Sequence, residues 1–235
     1  MEKMNKFLPT IVSRPQSSNL MNILVPVIAV ILTLLTGSII FSIMGFNPFF
    51  ALHTFFISPI STSYGISELL VKATPLALIA IGLAFCFKNN IYNIGAEGQL
   101  TMGAIFGGGI GIYFYDTNAF WLLPLMILGG AIGGALWAMI PALLKTKFNT
   151  NEILTSLMLV YVALLILDYL VVGPWKDPLG YSFPKTRQFS ESGRMPLLFS
   201  GLRVHFGLII TLILIFFSWF IFSKTIFGFQ LKVSG

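Results

Sequence analysis

Long apolar runs separated by short polar breaks organise this chain. A helix needs about 20 apolar residues to cross a bilayer. By that measure the pattern predicts spans at 21–44, 67–87, 98–115, 119–144, 152–172 and 204–223. The runs are continuous and do not alternate residue by residue, so they read as helices and not as barrel strands. The predicted fold is an all-α polytopic transmembrane helix bundle of about six spans, with 1–235 as a single transmembrane domain.

Two connections are more than turns. FNPFFALHTFFISPI (46–60) is aromatic, uncharged and interrupted by prolines, so 46–66 reads as an interfacial segment at the outer membrane surface. The stretch 173–202, beginning GPWKDPLGYSFPKTRQFSESGRMPLL, is too polar to insert and reads as an extracytoplasmic loop. A long ordered loop of this kind either docks a partner or lies as a lid over its own helices. Asn149, with Glu152 three residues on, resembles a capping box for the fifth span, which Gly173-Pro174 stops.

Composition supports the membrane class. The 235 residues are 56% hydrophobic and 9% charged, with a mean hydropathy of +0.89, whereas soluble domains carry about 25% charged residues. The net charge of +6 is scattered through loops, which speaks for orientation and against nucleic acid. With the N-terminus inside, Lys3, Lys6, Arg14, Lys88, Lys145, Lys147, Lys224 and Lys232 fall inside, and Lys176, Lys185, Arg187, Arg194 and Arg203 outside. The short loops carry the bias, and a cytoplasmic N-terminus is expected. The first apolar run is longer than a signal-peptide core and reads as a retained span.

Candidate chemistry is sparse. The one cysteine, Cys86, reads as a small buried apolar side chain. His53 and His205 have no partner at metal spacing, and neither HExxH nor a nucleophile–base arrangement occurs, so no metal site is expected and an enzyme is disfavoured. Gly103, Gly107 and Gly111, and the pairs Gly129/Gly133 and Gly130/Gly134, repeat at the four-residue spacing that lets helix backbones approach in lipid. IFGGGIGI lacks the GxxxxGK[ST] pattern and lies within a span, so it is not a nucleotide loop.

The exception is NNIYNIGAEGQLTMGA, residues 89–104. Lys88-Asn89-Asn90 alone suits a cytoplasmic turn, but apolar sequence resumes straight after Glu97-Gly98-Gln99 with no further loop signal. In a helix, Asn93, Glu97 and Thr101 form one polar stripe, and Gly95 and Gly98 weaken the helix beside it. A polar, glycine-containing break between spans is a recurring way to build a substrate site, because unwound backbone offers free N–H and C=O groups. Elsewhere, Tyr161 and Asp168 share a face of the fifth span, and Glu68 and Lys72 have the i,i+4 spacing of a mutually neutralising ion pair.

LVKATPLALIAIGLAFCFKNNIYNIGAEGQLTMGA (70–104) resembles the signature of permease subunits of ATP-binding-cassette importers, in the group of branched-chain amino acid and ribose-type permeases. The resemblance is closest to the nucleoside and simple-sugar branch, where FNIGAEGQ is usual and Tyr92 here replaces Phe. TNEILTSLMLVYVALLILDYLVVGPWKDPLGYSFPKT (150–186) and TIFGFQLKVSG (225–235) resemble later blocks of the same branch, the second leading into the ATPase-coupling region. The resemblance implies a permease subunit of the prokaryotic cytoplasmic membrane, translocating nucleosides or simple sugars. It implies a second permease subunit, a cytoplasmic ATP-binding subunit and an extracytoplasmic substrate-binding protein as partners, with no cofactor in this chain. Asn93, Glu97 and Gln99 match the signature and are the expected pathway-lining residues, with Gly95 and Thr101 beside them; Tyr161 and Asp168, from their shared face, are further candidates, and Lys224 and Lys232 are expected to face the ATPase. Such permeases carry more spans, so the chain reads as C-terminally truncated. The competing expectation is a proton-coupled secondary transporter using Glu97 or Asp168.

Overall fold

A computed structural model describes residues 18–181 and 183–234. Lys3, Lys6 and Arg14, on which part of the expected orientation rests, lie outside the described residues. The long helices are α1 (Asn19–Ile43), α3 (Ser63–Lys88), α4 (Ala96–Tyr113), α5 (Leu122–Phe148), α6 (Glu152–Val172) and α7 (Gly207–Lys224). A short α2 (Pro48–Leu52) follows α1, and α8 (Ile226–Ser234) follows α7. The described residues are helical with no strand, and the all-α membrane bundle is the observed fold.

Five of these helices, α1, α3, α5, α6 and α7, are long and apolar enough to cross a membrane. The sixth predicted span is α4, which is diluted by its glycines and by Glu97 and Gln99. Its composition fits its place: it buries Gly98, Thr101, Met102, Ile105, Gly107 and Gly111 against protein, and protein contact tolerates what lipid does not.

The chain divides into two compact units after Gly65. In the first, the hydroxyls of Thr33, Thr36 and Ser38 each return to the carbonyl four residues back at 2.8 Å, which hides polar groups on an otherwise apolar α1. Asn47 caps α2 by accepting the Phe49 N–H at 3.0 Å. One π-helical turn (His53–Ile57) and one 3₁₀ turn (Ser58–Ile60) continue the aromatic 46–60 segment.

In the second unit α4 packs chiefly on α5 and also on α6. The contact is backbone on backbone. A Cβ on Gly103 would sit 2.9 Å from the Gly130 carbonyl oxygen, and one on Gly107 would sit 2.7 Å from that of Met126. Met102, Ile105 and Ala163 form the core, with Trp137 and Trp175 packed against it. Trp137 donates its Nε1–H to the Leu159 carbonyl at 3.3 Å, joining α5 to α6.

The loop 173–202 folds over the helices of its own chain. The Trp175 ring covers Gly109, 3.1 Å from where a Cβ would lie, and the Phe189 ring covers Gly108 and Gly111. Ser192 Oγ accepts the Ala119 N–H at 3.2 Å and donates to the Thr117 carbonyl at 3.1 Å, which pins the loop to the α4–α5 turn. Arg187 stacks 4.6 Å above the Tyr115 ring.

Two local expectations are corrected. Asn149 does not cap α6: it ends α5 in the left-handed region at φ 50°, and Asn151 is the cap, accepting the Ile153 N–H at 2.9 Å. Glu152 instead meets Lys145 at 2.9 Å. Glu68 does not bridge to Lys72 among the described residues; its partner is Arg203, at 3.3 Å. The bridge ties the loop before α7 to α3. The bridge is largely solvated on the arginine side, which is 64% exposed. Glu68→Gln is therefore expected to lower stability by less than about 1 kcal/mol, read as a small drop in transition temperature in detergent.

Candidate functional site

The polar stretch ends α3 and starts α4 through a non-helical segment. Asn90 takes φ 54°, and the Ile91 N–H returns to the Cys86 carbonyl at 3.1 Å, so α3 terminates on a left-handed asparagine. Residues 91–95 are non-helical, and α4 begins only at Ala96. Two contacts hold the segment on α6. The Ile94 N–H donates to Ser156 Oγ at 3.3 Å, and a Cβ on Gly95 would sit 2.9 Å from Ser156 Cβ. Only glycine lets the chain pass so close.

This geometry sets the depth of the site. A Cβ on Gly134, in the middle of α5, would lie 3.1 Å from the Gln99 carbonyl oxygen. A Cβ on Gly98 would lie 2.9 Å from Val160 Cα, near the middle of α6. The first turn of α4 thus approaches the middle of α5 and α6, while the side chains of Asn93 and Gln99 lie between there and the ends of those helices that carry Lys145 and Glu152.

Here Asn93 and Gln99 hold each other. Asn93 Nδ2 donates to Gln99 Oε1 at 3.2 Å, and Gln99 Nε2 donates to Asn93 Oδ1 at 3.2 Å. Asn93 Oδ1 also accepts the Gly95 N–H at 2.9 Å, which orients the amide. The pair lies between two cavities of about 360 and 400 Å³ that share Cys86, Asn93, Gln99 and Ala138. The first adds Lys145, Thr146, Glu152 and Ser156; the second runs along α3 past Pro75, Leu78 and Leu83.

The expected stripe of Asn93, Glu97 and Thr101 does not form. The i,i+4 rule needs helix at Asn93, and there the backbone is not helical. Thr101 is buried and donates to the Glu97 carbonyl at 2.9 Å. Glu97 is exposed on α4, lines neither cavity and has no ion pair among the described residues. Tyr161 and Asp168 are on the exposed face of α6, opposite the buried Ser156, Val160 and Ala163, so they share a face as expected but do not reach the amide pair. Lys224 and Lys232 are exposed near α8. That helix starts on Thr225 Oγ1, which accepts the Gly228 N–H at 3.1 Å, and ends with Ser234 Oγ donating to Asn89 Oδ1 at 2.8 Å. Ser156 and Cys86 line the cavities but were not assigned to the site from the sequence, where Cys86 read only as a small buried apolar side chain. Ser156 was visible as a polar group opening a span; Cys86 gave no signal beyond its position one turn before the break.

The described residues thus form an all-helical, multi-pass membrane protein with a polar amide pair lining cavities between its helices. The family model described as "Branched-chain amino acid transport system / permease component" matches residues 65–235, and the chain belongs to that family. It is 34% identical to the glucose ABC transporter permease protein of Haloferax volcanii, over 89% of this chain and 57% of that protein. It is 32% identical to a guanosine ABC transporter permease protein of Bacillus subtilis, over 92% of this chain and 62% of that protein. It is 30% identical to a nucleoside ABC transporter permease protein of Lactococcus lactis, over 91% of this chain and 60% of that protein. The chain thus spans 57–62% of the length of these curated relatives. No solved structure matches it.

Proposed function

We propose that this chain is the membrane-spanning part of a permease subunit in an ATP-driven importer, moving nucleosides or simple sugars across a prokaryotic cytoplasmic membrane. The observation that carries the reading is the Asn93–Gln99 amide pair, held between two cavities at the non-helical connection from α3 to α4. Neutral hydrogen-bonding groups suit uncharged polar solutes. The names of the relatives support the substrate range.

The chain is a transport component, and ATP is bound and hydrolysed in a separate cytoplasmic subunit. Lys88, Lys145 and Lys147 stand at one end of α3 and α5, and α8 brings Lys232 beside Asn89 at that same end. That cluster supports a cytoplasmic assignment for this end, with Lys224 and Lys232 toward the ATPase and the 173–202 loop outside, where a binding protein delivers substrate. Glu97 supports a second permease subunit: an exposed carboxylate near mid-span is costly against lipid, and a protein partner removes that cost. Glu97 and Asp168 both lie off the cavities, which argues against the proton-relay alternative.

The test is uptake by the permease reconstituted with its ATPase, second subunit and binding protein. Uptake of labelled nucleoside or sugar requires ATP, and Asn93→Ala lowers it by about tenfold, the effect of about 1.4 kcal/mol lost with a hydrogen-bonding partner. Uptake that follows a proton gradient without ATP overturns the importer reading.

A further inference from the structure

We infer that residues 177–185, in the loop after α6, form an anchor whose apolar tip seats in the lipid headgroup layer beside that helix. The inference needs α6 to cross the membrane and is independent of the permease reading.

The segment is a small hairpin that fixes its tip. Lys176 and Thr186 pair as an isolated antiparallel bridge, and the Asp177 N–H donates to the Lys185 carbonyl at 2.8 Å. Asp177 Oδ1 accepts the Leu179 N–H at 3.0 Å, and its other oxygen meets Lys185 Nζ at 3.8 Å. Turns from Asp177 to Gly180 and from Gly180 to Phe183 close on bonds of 2.9 and 3.1 Å. This scaffold presents Leu179, Tyr181 and Phe183 at 83%, 92% and 75% exposure, whereas Trp175 and Phe189 on either side lay their rings over glycines of α4. Tyr181 holds φ 51°, a left-handed conformation that costs a bulky residue free energy and that glycine or asparagine adopts more readily. A strained aromatic residue that is almost wholly exposed adds nothing to the packing of its own chain, and so points to something outside it.

Position and chemistry identify lipid as what the tip meets. Trp175 packs against the core of Met102, Ile105 and Ala163, and its N–H donates to the Leu170 carbonyl at 2.8 Å, so the hairpin is rooted on the last turns of α6. From Trp175 to Tyr181 the chain reaches at most about 22 Å, and the two turns shorten that. The tip therefore stays close to a membrane whose headgroup layers are each about 5–7 Å deep. A tyrosine with an apolar ring and a polar hydroxyl, flanked by leucine and phenylalanine, suits that layer. Lys176, Lys185 and Arg187 stand at the base against the carboxylate of Asp177, a net positive charge that complements phosphate headgroups. A soluble partner covers the tip only while docked, and surfaces used for passing contacts are about as polar as the rest of a protein. Lipid is beside α6 at all times.

The test is dye exposure in lipid nanodiscs, where both membrane faces are open to solvent. The full chain with Cys86→Ala carries an environment-sensitive fluorophore on Tyr181→Cys or, as the aqueous reference, on Glu191→Cys, an exposed position of the same loop. At 181 the dye is expected to be quenched by lipid bearing a nitroxide at its headgroup, and its quenching constant with aqueous iodide to be at least about fivefold lower than at 191. With the dye on Leu179→Cys instead, Tyr181→Asp together with Phe183→Asp is expected to remove most of that protection. The transition temperature should stay as it was, because both side chains are exposed. Iodide reaching 181 and 191 equally overturns the inference, as does a doubly substituted tip that stays shielded. Shielding that appears only when a soluble partner protein or a second membrane subunit is added also overturns it, and makes the tip a protein dock.

Discussion

Gly107→Leu is expected to cost this chain its folded form. A Cβ there would sit 2.7 Å from the Met126 carbonyl oxygen and 3.5 Å from Gly130 Cα, and both are backbone atoms with no rotamer to give. The neighbours on the seam are as tight: 2.9 Å from Gly103 to the Gly130 oxygen and 3.1 Å from Gly134 to the Gln99 oxygen. A leucine at 107 therefore levers the two helices apart along their whole contact. Overpacking costs about 1–3 kcal/mol where side chains can adjust. Here the loss is expected above about 3 kcal/mol, because packing between helices in lipid is the main force that holds them. The measurement is thermal unfolding in detergent together with the yield of monodisperse protein. Gly37→Leu is the control: a Cβ at 37 meets nothing within 4 Å. It should be neutral or gain up to about 1 kcal/mol of helix propensity. Equal behaviour of the two variants would show that close backbone approach is not what holds α4 on α5.

The seam was legible in the sequence because it depends on spacing alone. Gly103, Gly107, Gly130 and Gly134 recur every four residues, and any helical reading puts them on one face. The spans were legible for a similar reason: an apolar run of sufficient length has few alternatives in a membrane, and the predicted 152–172 coincides with α6. What failed was each inference that needed the local backbone to be known first. The polar stripe assumed helix at Asn93, but the left-handed Asn90 at φ 54° ends α3 and leaves 91–95 non-helical. Asn93 and Gln99 are six apart and stand on either side of the start of α4, so no single periodicity joins them and their pairing was invisible. Two asparagines near 150 could each have capped α6, and it took the positive φ of Asn149 to exclude it. The Glu68–Arg203 bridge spans 135 positions, a distance that no local rule reaches. The polar stretch 89–104 was nonetheless readable as unusual, since polar groups set between two apolar runs stand out however they are arranged.

That arrangement makes Gly95 the most sensitive position for transport. Gly95→Leu is expected to lower uptake by roughly thirtyfold while most of the folded structure persists. A side chain at 95 would place its Cβ 2.9 Å from both Cβ and the carbonyl oxygen of Ser156, so the non-helical segment must lift off α6. Lifting breaks the 3.3 Å bond from the Ile94 N–H to Ser156 Oγ and carries Asn93 away from Gln99. The loss of two amide hydrogen bonds corresponds to about 2 kcal/mol, which is the expected factor of roughly thirty. The tightest part of the seam between α4 and α5, at Gly103 and Gly107, lies beyond the first turn of α4, so only its Gly134–Gln99 end is near this change. The transition temperature should therefore fall far less than in Gly107→Leu, although Ser156 loses a partner. Ser156→Ala supplies the matching measurement: it removes the hydroxyl that holds Ile94 but introduces no clash, so its effect on uptake should be only several-fold. Gly95→Leu uptake equal to that of the unaltered protein would mean that the seating of 91–95 on α6 does not position the amide pair, and that substrate passes elsewhere in the bundle.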